Sequence, residues 1–95
     1  MEYLFDEMEE AMTRYVCLAT EENRYDFSLV YSKLFQGKSF VTCLQSGKAL
    51  LLCHDDLHNE EYWVSGLKVA EQDVEAMKAF FTTALPAFAP AVSQY

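Results

Sequence analysis

The dense cluster of ligand-type and proton-carrying side chains in this 95-residue chain is Cys53-His54-Asp55-Asp56-Leu57-His58. Thiolate, imidazole and carboxylate are all zinc donors. A cysteine beside a histidine is also the start of a nucleophilic site, which needs a base and a group to hold it. Neither set is complete. The cluster falls where an apolar run gives way to a polar stretch, so the four-residue spacing of His54 and His58 implies no shared helix face. With Leu52 turned inward on a strand, His54 points inward and Cys53 outward. No second ligand pair lies elsewhere in the sequence, and cysteines on apolar strands hold their protons. Asp55-Asp56 and Glu60-Glu61 are neighbouring carboxylates on a polar stretch, where both stay ionised. Gly37-Lys38 and Ser46-Gly47-Lys48 lack the glycine spacing of a phosphate loop and read as turns. Cys53, His54 and His58 stand only as weak metal candidates; no catalytic residue and no cofactor is assigned.

The aromatic residues are the better lead. Tyr25, Phe27 and Tyr31 fall on one face of an alternating segment, and Tyr62 and Trp63 follow the acidic stretch. Large rigid rings build cores, and at a surface they also build protein interfaces. Tyr25, Phe27, Tyr31, Asp55, Asp56, Tyr62 and Trp63 are therefore the candidate interaction residues, with a core role open for each ring.

Several elements must position these groups. Residues 14–20 are rich in strand formers, and Glu21–Arg24 reads as a polar turn. From Tyr25 to Ser32 apolar and polar residues alternate, the mark of a half-buried strand. Two apolar runs, 40–44 and 49–53, flank Gln45-Ser46-Gly47-Lys48, which is a hairpin signal. Residues 54–61 read as a loop and 62–67 as a fifth strand. Ala70, Val74, Met77, Phe81 and Ala84 recur at helical spacing, predicting a helix over 70–85. Glu71, Asp73 and Glu75 suit its positive end, and Pro86 stops it. The fold class is α+β: a mainly antiparallel sheet of four to five strands with one C-terminal helix packed on one face. Residues 1–95 form a single small domain, with an acidic and aromatic arm at 1–12 and a Pro-interrupted tail at 86–95, where Phe88 is a candidate anchor.

The totals narrow the function. Fifteen acids against seven Lys and Arg give a net charge of −8, which repels phosphate backbones and anionic membranes. The basic residues Arg24, Lys33, Lys38 and Lys48 are spread out and make no patch. Neither nucleic acid nor membrane is expected as a partner, and the apolar runs are far shorter than the ~20 residues a spanning helix needs. Three cysteines, with no CxxC spacing and no secretory pattern at Met1-Glu2-Tyr3, suit buried thiols in a reducing cytoplasm.

The order of segments also resembles a family of small, uncharacterised cytosolic proteins from Firmicutes, a domain of unknown function. The residues that carry the resemblance are Thr13-Arg14-Tyr15-Val16, Arg24 to Val30, Gly37-Lys38-Ser39-Phe40-Val41, and Asp55-Asp56-Leu57 with Tyr62. They continue into the helix with Glu71, Val74, Met77 and Phe81. One departure is Ala70, where the family's helix begins with a Ser cap; losing a cap costs about 1 kcal/mol. The resemblance implies the fold size, a bacterial origin and the cytoplasm, and carries no activity.

Three function classes follow in order. The first is a non-enzymatic protein-binding or regulatory module that docks on a protein partner or on itself as a homodimer, because one helix cannot cover strands that are apolar on both faces. The second is a small enzyme or metal protein using Cys53–His58. The third is an acidic mimic of nucleic acid. Residues 1–12 folding over the sheet would instead leave a monomer.

Overall fold

In a computed structural model describing residues 1–86, four strands form one antiparallel sheet in the order β1-β2-β3-β4. They are β1 (Met12–Ala19), β2 (Arg24–Tyr31), β3 (Ser39–Cys43) and β4 (Lys48–Leu52). Each lies within a residue or two of the expected span. Alternation in β2 is strict: Tyr25, Phe27 and Leu29 are buried, while Asp26, Ser28 and Val30 turn the other way. Register carries that face across the sheet. Arg14, Leu29, Val41 and Leu50 form one row on the inner face, and Val16, Phe27, Cys43 and Lys48 the next. The β3–β4 hairpin closes through the Gly47 N–H on the Cys43 carbonyl at 2.8 Å, with Gly47 at φ +72°, a conformation glycine adopts without strain.

The fifth strand does not form. Residues Glu60–Leu67 are a helix, α1. Tyr62-Trp63-Val64 are strand formers, but Trp63 and Leu67 stand four apart and both are buried, while Glu60 and Glu61 occupy the first turn. Burying one helical stripe outweighed local propensity here. The stretch before it, expected as a loop, is a 3-10 turn over His54–His58 that buries Leu57.

The C-terminal helix α2 spans Val74–Ala84, after an extended Ala70 and a 3-10 turn at Glu71–Asp73. It therefore starts four residues later than its apolar pattern suggests, and Ala70, at the N-cap of the 3-10 turn, supplies no side-chain cap. Met77, Phe81 and Ala84 face inward as expected. Leu85 takes an extended conformation ahead of Pro86, as the residue before proline prefers.

Both helices lie on the inner face of the sheet. Phe81 links the layers, its ring centroid 5.3 Å from Phe27 on β2 and 5.8 Å from Trp63 on α1. Trp63 Nε1 donates to the Leu57 carbonyl at 3.2 Å, so its buried N–H is satisfied. Residues 1–11 belong to no helix or strand, and they do not cover the sheet: Tyr3, Leu4, Phe5 and Met8 are all exposed. Ser32 Oγ donates to the Glu9 carboxylate. The expected anchor Phe88 lies outside the described residues.

Candidate interaction surface

Strict alternation leaves a second sheet face with no helix over it among the described residues. Register places Thr13, Val30, Phe40 and Leu51 in one row across it, and Tyr15, Ser28, Thr42 and Ala49 in the next. Tyr15 is 76% exposed, Leu44 57% and Phe40 37%. Phe35, from the 3-10 turn before β3, sets its ring 5.8 Å from Phe40 and widens the apolar area. Ionic groups on this face are sparse. Asp26 is held by Arg24, whose Nε lies 3.1 Å away, and the Asp26 N–H donates to Gln45 Oε1 at 2.8 Å. The thiol of Cys17, opposite Asp26 in the register, and then Arg24 hold that carboxyl below the ordinary aspartate range.

The candidate residues from the sequence separate into three groups. Tyr25, Phe27 and Trp63 are core, so their rings are not offered to a partner. Tyr31 is half-buried, and its hydroxyl donates to the Ala84 carbonyl at 3.0 Å, tying β2 to the end of α2. Asp55 and Tyr62 are exposed. Tyr62 Oη donates to the Leu51 carbonyl on β4 at 2.7 Å.

Asp56 has a local structural role. One carboxylate oxygen accepts from the Cys53 N–H at 2.9 Å and from Lys38 Nζ at 3.0 Å. Burial pushes this carboxyl up, but the lysine and the Cys53 amide outweigh it, and the group sits below the usual carboxylate range. The Cys53–His58 cluster does not converge. His54 Nε2 lies 3.1 Å from the Leu85 carbonyl, which accepts its proton, and His58 is exposed at the far end of the turn. Among the described residues no group of three His, Cys, Asp or Glu side chains is placed to hold a metal. The thiols are free, but they are not uniformly buried: Cys43 is buried, Cys53 half-buried and Cys17 exposed. Cys17 is exposed because its odd position puts it on the outer face of an edge strand.

A polar knot beneath the sheet was not legible from the sequence. Tyr25 Oη donates to Asp73 Oδ2 at 2.6 Å and accepts from the Ala70 N–H at 3.1 Å, while Asn23 Nδ2 donates to the same carboxylate at 2.9 Å. The Tyr25 hydroxyl, chiefly, holds the Asp73 carboxyl below its ordinary range, and burial with the neighbouring carboxylate pushes the phenol up. The amide at Ala70, where the sequence has no serine cap, is thus satisfied by a tyrosine 45 residues earlier, on β2. Ser39 is the other buried polar group. Its Oγ has no hydrogen-bond partner among the described residues, and Ser39 lines a cavity of about 230 Å³ that opens beside Pro86.

A family model described as SAV0927-like matches residues 4–83. The chain belongs to that family. The match takes in all four strands, α1 and α2 up to Thr83. The family, named after a Staphylococcus aureus protein, is one of unknown function. No curated protein matches the chain. No helix among the described residues is long and apolar enough to cross a membrane.

Proposed function

We propose that this SAV0927-like protein is a non-enzymatic protein-binding or regulatory module of the bacterial cytoplasm, in Firmicutes, that docks through the outer face of its sheet. The observation that carries this is an apolar area around Tyr15, Phe40 and Leu44 that neither helix nor the N-terminal arm covers. Contiguous exposed apolar area on a soluble protein marks an interaction site, and aromatic rings contribute most of such an interface's energy. The Cys53–His58 segment supports a structural role instead, since one Asp56 carboxylate oxygen holds the Cys53 N–H and Lys38 and His54 Nε2 meets the Leu85 carbonyl.

The test compares the wild-type chain with Phe40→Lys and Leu44→Lys, immobilised and exposed to host extract. Asp55→Lys, on the exposed surface of the His54–His58 turn, is the control. A bound protein retained by wild type and Asp55→Lys, but lost from both outer-face variants, supports docking there. Equal retention by all four chains contradicts it.

A further inference from the structure

We infer that a second copy of the chain joins this one through the free edge of β1, so that two sheets run on as one eight-stranded sheet. Such a joint leaves the outer face of each copy uncovered, so it goes beyond docking at that face and stands on the edge alone.

Backbone direction leaves this edge unpaired among the described residues. The Leu44 N–H donates to the Asp26 carbonyl at 2.8 Å, so even-numbered residues of β2 bond towards β3 and odd-numbered ones towards β1. Their partners on β1 are Met12, Arg14, Val16 and Leu18. The Thr20 N–H on the Asn23 carbonyl at 2.8 Å continues the same ladder. Thr13, Tyr15, Cys17 and Ala19 therefore turn their amides and carbonyls outward. The register from Met12↔Tyr31 to Ala19↔Arg24 is unbroken, so no bulge twists this edge away. Natural edges are guarded by charge, proline or bulges. Here the strand holds no proline, and its one charge, Arg14, lies over the Phe80 ring at 5.6 Å on the helix side.

The opposite edge is partly occupied. The same parity turns the Leu51 carbonyl outward from β4, and Tyr62 Oη occupies it at 2.7 Å. Beside it α1 packs so closely that a Cβ on Gly66 would stand 2.1 Å from Leu50 Cδ2. Pairing of β1 with β1 uses the same edge on both copies, so the contact closes at two, the symmetry commonest among oligomers.

A second copy fits the open edge in character. A strand entering there must be apolar on both faces, meeting Val16 and Leu18 on the helix side and the Tyr15 row outside. β1 is such a strand. Antiparallel pairing about Tyr15, Val16 or Cys17 keeps the two Arg14 side chains out of direct opposition. The acids of each chain lie outside β1, at 2–10 and beyond Thr20, so like charges meet only at the ends of the joint. Exposed large apolar side chains are also concentrated in the sequence at and before β1: Tyr3, Leu4, Phe5, Met8, Met12 and Tyr15.

Sedimentation equilibrium of the full chain, from about 1 to about 100 μM at low and high salt, reads the association. Wild type is expected at dimer mass, dissociating more readily at low salt. Cys17→Pro removes an outward N–H and no ladder bond to β2, and is expected to weaken association at least about tenfold with an unchanged far-UV spectrum. Phe40→Lys, two strands away, is expected to remain dimeric. Registers centred on Tyr15, Val16 or Cys17 bring the paired Cys17 residues within about 15 Å. A bismaleimide of that length should therefore give a covalent dimer mapped to Cys17–Cys17, a readout that stands even if the proline variant does not fold. Monomer mass throughout, or no Cys17 adduct, overturns the inference and leaves outer-face docking on another protein to be judged by the Phe40 and Leu44 variants. A dimer lost in Phe40→Lys but kept in Cys17→Pro also overturns it, since the copies would then meet face to face.

Discussion

Phe81 joins sheet and helices, and its removal is the most severe single test of the core. The side chain is fully buried, with ring centroids at 5.3 Å to Phe27, 5.8 Å to Trp63 and 5.1 Å to Phe80. Burying roughly 150–250 Å² of aromatic side chain at about 25 cal/mol per Å² amounts to about 4–6 kcal/mol. Alanine keeps a little of that, and rigid rings on three sides leave the cavity little freedom to collapse. Phe81→Ala should therefore lose about 3–5 kcal/mol. A domain of this length holds about 5–14 kcal/mol in total, so the variant sits near the threshold of folding. Urea unfolding followed by Trp63 fluorescence measures the loss, since Trp63 is the one tryptophan and packs edge-on against Phe81. A loss below about 1 kcal/mol at unchanged m-value would refute the packing described here.

Three further outcomes follow from particular contacts. Gly66→Ala gains about 1 kcal/mol of helix propensity but drives a methyl into Leu50 Cδ2, an overpacking of about 1–3 kcal/mol, so a net loss of up to about 2 kcal/mol is expected; in a Leu50→Ala background, measured by urea unfolding, the same change should stabilise. The depressed Asp73 carboxyl contributes stability that is complete above the unfolded aspartate value near pH 4 and lost as pH falls through the lower folded value; Tyr25→Phe removes the main cause of the depression, so unfolding followed against pH should show a flatter acid limb. Native-state thiol labelling should proceed fastest at Cys17 and slowest at Cys43, and Asp26→Asn should quicken Cys17 further, because the carboxylate opposite raises its pKa.

Much of the fold was legible because alternation is a strong signal. Tyr25, Phe27 and Leu29 set the inner face of β2, Gly47 marked the hairpin, and Met77 and Phe81 marked α2. Residues 60–67 misled because Tyr62-Trp63-Val64 favour a strand locally, while Trp63 and Leu67 reach the core together only on a helix. The late start of α2 was hidden because Ala70 to Asp73 suit helix by composition but are drawn into the polar knot with Tyr25 and Asn23, contacts about fifty residues apart in sequence. Candidate rings were chosen by size, and that criterion selected core residues; Tyr15, Phe40 and Leu44 were missed. Strand parity would have found them: once Leu29 and Val41 are inside, Val30 and Phe40 must lie outside.

The same parity makes amide exchange the most direct test of association at β1. Hydrogen exchange is read residue by residue at Thr13, Tyr15, Cys17 and Ala19, and at Arg14, Val16 and Leu18, across protein concentration. If β1 pairs with a second β1, the odd-numbered amides gain protection as concentration rises while the even-numbered ones, already bonded to β2, change far less. Odd-numbered amides that exchange as freely at high concentration as at low would contradict pairing at this edge.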